Sequence, residues 1–210
     1  MALSDISRIV KKGTKSGGKH SALKGGLLLL FFAVLIVGYY FYLNNRQIEK
    51  SPPAVEMTVA QELISRNLTT NYPATPKEVM RFYSDITKCF YNEVYSDEEL
   101  ELLASQTRML YDDDLAAIND WAKYLVQLKE EIAYYKENSI RVSGYNISAA
   151  TDVDYFTEDG YNFARLYCTY TLKSRSTRQP IEEVFLLRKD EAGHWRIFGW
   201  DLAENVTIEE

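Results

Sequence analysis

The sequence predicts an α+β protein: an N-terminal transmembrane helix, then three to four helices packed on a curved four-stranded antiparallel sheet. Three observations carry this expectation. Leu27 to Leu43 is an unbroken apolar run of seventeen residues without a charge or a side-chain amide. From Thr58 to Tyr135 apolar residues recur in steps of three and four, the spacing of one helix face. From Ser139 onward the period changes to alternation broken by glycine-containing turns, the mark of antiparallel strands. Helices first and a strand meander afterwards is the α+β order.

The apolar run organises the chain. With Gly25 and Gly26 in front, nineteen uncharged residues span roughly 28 Å as a helix, close to the hydrocarbon thickness of a bilayer. Six basic residues (Arg8, Lys11, Lys12, Lys15, Lys19 and Lys24) and only Asp5 precede it, so residues 1–43 carry +5. The whole chain is −6, which leaves −11 on residues 44–210. The basic excess before the run predicts a cytoplasmic N-terminus and an extracytoplasmic C-terminal domain at the cell membrane. A cleaved signal peptide needs small residues just past the apolar run, whereas Tyr39 to Leu43 are followed by Asn44, Asn45, Arg46 and Gln47. The run therefore reads as a retained, single-pass anchor. An acidic domain without a basic patch argues against nucleic acid as a partner.

The domain organisation follows. Residues 1–24 form a flexible basic tail, 25–45 the transmembrane helix, 46–57 a linker stiffened by Pro52 and Pro53, 58–204 the folded domain and 205–210 a short tail. Within the domain, Thr58 caps a short helix through about Leu68. Thr75, Pro76 and Glu78 then supply an N-cap, a first-position proline and a capping-box glutamate. Their helix carries Val79, Phe82, Tyr83, Ile86, Cys89, Phe90 and Val94 on one face. Ser96 and Glu99 repeat the capping box before Leu100, Leu103 and Leu110. After Asp112, Asp113 and Asp114 one long helix has its stripe at Leu115, Ile118, Ala122, Leu125, Leu128, Ile132 and Tyr135, with Glu130 and Glu131 on the opposite side.

Four strands are expected: Ile140 to Phe156 with a bulge or bend, Tyr161 to Lys173, Ile181 to Lys189, and His194 to Leu202. Glu158-Asp159-Gly160 and Asp190-Glu191-Ala192-Gly193 are tight turns, and Ser174 to Gln179 reads as a polar loop. In the second strand Ala164, Leu166, Cys168, Tyr170 and Leu172 form one face; Tyr161, Phe163, Tyr167, Thr169 and Thr171 form the other.

No catalytic, cofactor or metal-binding residues are assigned. Only His20, in the tail, and His194, at a hairpin exit facing solvent, are histidines, so a nucleophilic triad has no base to use. Asp152, Asp154 and Asp201 are the carboxylates considered for acid-base work, yet their places near strand ends favour solvent-exposed groups. Asp112 to Asp114 lack the alternating ligands and turn glycine of a calcium loop. They read as helix-capping residues. Two separated cysteines with one histidine do not make a zinc site. Cys89 and Cys168 sit at apolar positions and read as core side chains, a disulfide between them being the alternative. No phosphate-cradling or dinucleotide-binding glycine motif is present. Thirteen tyrosines follow the apolar run, among them Tyr83, Tyr91, Tyr95, Tyr124, Tyr134, Tyr135, Tyr161, Tyr167 and Tyr170. Core packing accounts for most; a tyrosine-lined binding pocket is the functional alternative.

The element order and the closing Gly193-His194-Trp195-Arg196-Ile197-Phe198-Gly199-Trp200 strand resemble the nuclear-transport-factor-two-like superfamily over Pro73 to Leu202. That resemblance implies a cone-like domain. The basic tail, the single span, Asn71-Tyr72-Pro73-Ala74-Thr75-Pro76, Leu187-Arg188-Lys189-Asp190 and Phe198-Gly199-Trp200 resemble a family of membrane-anchored proteins of Gram-positive, clostridia-type bacteria. Its bacterial setting makes the glycosylation-type sequons at Asn67, Asn146 and Asn205 incidental. The layout is also similar to single-span scaffold subunits of type IV secretion and conjugation machines. The superfamily includes small isomerases and dehydratases as well, and fold alone does not choose among these uses. The expected function is a membrane-anchored binding or interaction module, not an enzyme, with the lipid bilayer, an envelope protein or a small ligand as partner.

Overall fold

The computed structural model describes Val37, Tyr39, Tyr40, residues 57–175 and residues 177–205. The chain divides into two units, Met1–Glu56 and Met57–Glu210. In the first, Val37, Tyr39 and Tyr40 are helical and exposed. The rest of the expected span, together with the tail, the linker up to residue 56 and residues 206–210, lies outside the described residues. Among the described residues no helix is long and apolar enough to cross a membrane.

The second unit has five helices and a five-stranded antiparallel sheet. Helix α1 (Val59–Ser65) starts in a complete capping box between Thr58 and Gln61 and ends three residues before the expected Leu68. Helix α2 (Pro76–Asn92) is capped by the Thr75 hydroxyl, which accepts from the Glu78 amide. The Glu78 carboxylate reaches back to the Ala74 amide at 3.0 Å, one residue beyond a capping box. Val79, Met80, Phe82, Ile86, Cys89 and Phe90 form its buried face. Val94, expected on that face, lies past the helix end and is 91% exposed. Helix α3 (Asp97–Met109) opens in the expected capping box of Ser96 and Glu99.

The expected long helix is two. Helix α4 (Asp113–Ile118), capped by Asp112, stops at Asn119, and Asp120 caps α5 (Trp121–Glu137). The break has a physical cause on another helix. Arg108 of α3 donates to the carbonyls of Ala116 and Asn119 at 2.9 Å each, binding the last turn of α4 with charge-assisted bonds. Ile118, placed on the expected stripe, is therefore 80% exposed.

Strands β1 (Ile140–Ile147) and β2 (Asp154–Glu158) lie along one edge of β3 (Tyr161–Ser174), and β3, β4 (Thr177–Lys189) and β5 (Trp195–Leu202) follow in order. The single first strand expected from Ile140 to Phe156 is thus divided. Ser148 makes the division: its amide and hydroxyl both donate to the Tyr167 carbonyl, and its hydroxyl accepts from the Tyr167 amide. A short 3-10 turn, Ala150–Asp152, then leads into β2. The expected irregularity is present as a register shift between Val142 and Gly144. Strand β4 begins at Thr177, directly opposite Ser174, so most of the expected polar loop is strand. Its polar start escaped the alternation rule because β5 pairs with β4 only from Glu183 onward. Asp159 and Gly160, both at positive φ, form a two-residue hairpin turn, the geometry that favours Asp-Gly.

Ala164, Leu166, Cys168 and Tyr170 of β3 face the helices with Val142, Phe185, Leu187 and Ile197, as the alternation predicts. On the opposite face Phe163 packs between Phe156 and Phe198, with centroids 5.5 and 5.7 Å away. Cys89 and Cys168 are buried free thiols.

Two contacts fasten the helices to the flanks of the sheet. Beside β1, the Asn92 side chain donates to the Val142 carbonyl at 2.7 Å and accepts from its amide at 3.0 Å. Beside β5, Ile197 donates to Leu110 O and accepts from the Asp112 amide, each at 2.8 Å. The buried Asp112 carboxylate caps α4 through the Asp114 amide and binds the Arg188 guanidinium with both oxygens. Replacing Asp112 with Ala strips Arg188 of its buried counter-charge and α4 of its cap. Urea unfolding is expected to show a loss of about 3–5 kcal/mol; Asp112→Asn, which keeps an oxygen for the cap, should lose less.

Candidate functional site

A cavity of about 190 Å³ opens between the helices and the sheet. Helix α2 contributes Tyr83, Thr87 and Tyr91; α5 contributes Glu131 and Tyr135; β1 and β3 contribute Val142, Tyr170 and Leu172; β4 and β5 contribute Ile181, Glu183 and Trp200. Tyr83, Thr87 and Tyr91 are four residues apart along α2, so that helix presents one continuous side to the cavity.

The aromatic groups brace one another. Tyr91 and Tyr135 stack at 4.2 Å, Tyr83 meets Phe185 edge-on at 5.6 Å, and Trp200 stacks on Phe185 at 5.9 Å. The Tyr91 hydroxyl donates to Glu131 Oε1 at 2.8 Å. Deeper in, the Tyr170 hydroxyl and Ser84 Oγ are hydrogen-bonded at 2.9 Å, with Cys168 Sγ 3.6 Å from the same Ser84 oxygen. Burial pushes the Tyr83, Tyr170 and Tyr135 phenols above their usual range. Burial and the Glu131 carboxylate do the same to Tyr91. All four stay protonated and serve as neutral hydrogen-bonding groups.

Glu183 is the unusual member. It stands in phase with Ile181, Phe185 and Leu187 on the helix-facing side of β4. No donor or cation pairs with its carboxylate among the described residues. Burial first, and repulsion from Glu131 second, raise it to about 7. It can therefore take up or release a proton near neutrality.

The residues considered from sequence alone lie elsewhere. Asp152 is exposed in the 3-10 turn and Asp154 pairs with Arg165. Asp201 is exposed on β5 opposite Val184, on the other face of the sheet. Asp112 and Asp114 both bind Arg188, and among the described residues no group of three acidic, histidine or cysteine side chains is brought together to hold a metal. His194 is at the hairpin exit as expected, yet it packs on Tyr72 with centroids 4.6 Å apart rather than facing solvent fully. Of the nine tyrosines singled out, Tyr83, Tyr91, Tyr135 and Tyr170 line the cavity. The sequence reading places Glu131 on the polar side of its helix and gives Glu183 no role, whereas both line the cavity. Glu131 is three residues after Leu128 and four before Tyr135, on the stripe rather than behind it. Glu183 interrupts an otherwise apolar alternation.

A wider cleft of about 600 Å³ lies beside Asp112, Arg188, Asp190 and Arg196. Its two arginines are already paired: Arg188 binds Asp112 and Asp114, while Arg196 binds Asp190 at 2.9 Å. The smaller cavity is lined by two carboxylates and by no lysine, arginine or histidine.

A family profile described as a domain of unknown function (DUF6715) matches residues 11–200. The chain belongs to that family. The matched stretch takes in the apolar run and every residue lining the cavity of this DUF6715 protein. No curated protein matches the sequence.

The raised proton affinity of Glu183 has a stability consequence with a definite sign. Its contribution is fully present below the ordinary glutamate value of 4.5 and is lost as pH rises through about 7. Glu183→Gln should therefore be more stable than the parent at pH 8 by about 1–2 kcal/mol, discounted for partial solvation. The difference should vanish near pH 4.5 in urea titrations. Burial holds the Cys89 thiol up at about 12 and also raises Cys168. A thiol reagent at pH 8 should label neither in the native protein and both in denaturant.

Proposed function

We propose that this DUF6715 protein is a single-pass membrane protein that holds its α+β unit outside the cytoplasm and binds a small ligand between its helices and sheet. The observation that carries the binding function is the tyrosine-lined cavity with Glu183 unpaired in its wall. A side chain placed only for stability would follow the apolar alternation of β4; a charged one left half-buried and unmatched costs folding free energy. Anchoring is supported by the Leu27–Leu43 run and the basic residues before it. The helix-then-sheet order fits the nuclear-transport-factor-two-like resemblance, and with it a cone-like domain open at one end. An envelope protein that presents or receives the ligand is the partner this arrangement would serve.

One observation favours a second reading. A carboxylate raised to about 7 is suited to general acid-base catalysis, as in an isomerase or dehydratase. Loss of ligand turnover, but not of ligand binding, on Glu183→Gln would favour it. The binding reading expects no turnover in the parent.

Protease treatment of intact cells, with membrane fractionation, tests the placement. The full chain should sediment with membranes, and residues beyond 57 should be digested only from the outside. A soluble full-length chain, or a unit protected until the cells are opened, would overturn the reading.

A further inference from the structure

We propose that the ligand of this cavity is a small organic cation, an ammonium group held by the Glu131 and Glu183 carboxylates among the rings of Tyr83, Tyr91, Tyr135 and Trp200. The inference rests on the binding reading above and adds the charge and chemical class of the occupant.

Charge is the first ground. Two carboxylates line the cavity and no lysine, arginine or histidine does. Tyr91 satisfies one oxygen of Glu131, but nothing among the described residues satisfies Glu183. A half-buried anion is stabilised by a counter-charge, and no cation among the described residues pairs with Glu183; Arg188, Arg165 and Arg196 are held by Asp112 and Asp114, by Asp154 and by Asp190. The missing positive charge is one the ligand can supply.

The wall decides what kind of cation. Tyrosine and tryptophan rings present electron-rich faces that attract ammonium groups, most strongly where water is excluded. Hard metal ions ask for six or more oxygen ligands, whereas Val142, Leu172 and Ile181 fill much of this wall. Alkyl groups on nitrogen would meet those apolar side chains favourably. Size narrows the class again. At about 190 Å³ the cavity is smaller than the roughly 300–1,000 Å³ typical of drug-sized ligands. It suits one ammonium head with short substituents.

A cation beside Glu183 favours its ionised form, so binding releases a proton and strengthens as pH rises through neutrality. The other titratable groups facing Glu183 are Glu131 and Tyr135 on α5, Tyr83 and Tyr91 on α2, and Cys168 and Tyr170 on β3. Burial keeps those phenols and the thiol neutral over this range.

The full chain in maltoside micelles, free of choline lipids, would be titrated with tetramethylammonium chloride at constant ionic strength and with neutral tert-butanol. The Trp200 indole proton resonance, assigned by Trp200→Phe, reports occupancy, and thermal melting checks each variant's fold. The expected result is at least about tenfold tighter binding of tetramethylammonium than of tert-butanol. That preference should be lost in Glu183→Gln and reduced in Glu131→Gln, and cation affinity should fall between pH 8 and pH 5.5. If both probes shift Trp200 equally, or the preference survives both substitutions, the cationic class is wrong while the pocket stands. If neither probe reaches Trp200, the binding reading falls with it. Should a variant fail to fold, the pH dependence and probe preference of the parent decide the matter.

Discussion

Asp112 is the residue on which the joining of helices to sheet depends. Its amide donates to Ile197 of β5, one carboxylate oxygen caps α4, and both oxygens bind Arg188 of β4. Three contacts, one from the backbone and two from the carboxylate, meet in this one buried residue. The contact also seats Tyr111 beside Ile197, and Tyr111 in turn lies between Tyr83 and Trp200, with centroids 6.4 and 5.8 Å away. The backbone bonds of Leu110 and Asp112 to Ile197 thus place Tyr111 against two of the rings that line the cavity. Buried ion pairs add little net stability when intact; this one earns its place by fixing where the helical layer lands.

The cavity shows the opposite treatment of charge. At Asp112 the fold surrounds a carboxylate with donors; at Glu183 it supplies none among the described residues and sets a second carboxylate nearby. Similar chemical groups, one buried and one half-buried, are paired in one place and left without a protein partner among the described residues in the other. The contrast separates a paired charge from an unpaired one, and it follows from partner geometry rather than from residue type.

Much of this architecture was legible in the sequence because the signals were local. Ser96 with Glu99 and Asp159 with Gly160 act within three residues of themselves, and the β3 alternation from Ala164 to Leu172 needed only the strand period. The misses came from long-range contacts. The helix break at Asn119 is enforced by Arg108 from the preceding helix, and the division of the first strand by Ser148 bonding to Tyr167. The two glutamates of the site were passed over for another reason. A carboxylate on an apolar stripe looks like noise in a periodicity argument, although in a foldable sequence a local conflict of this kind often marks a functional position.

The Asn92 and Leu110–Asp112 contacts have a consequence for recognition. An exposed strand edge invites a further strand from another chain, as in peptide capture by sheet extension or in aggregation. Here a side chain of α2 occupies the outward-facing amide and carbonyl of Val142, and the α3–α4 connection occupies those of Ile197. Each strand is plugged near its start by the domain's own helices and their connection. A strand added from another chain along β1 or β5 would find the backbone at these two points already bonded within the domain.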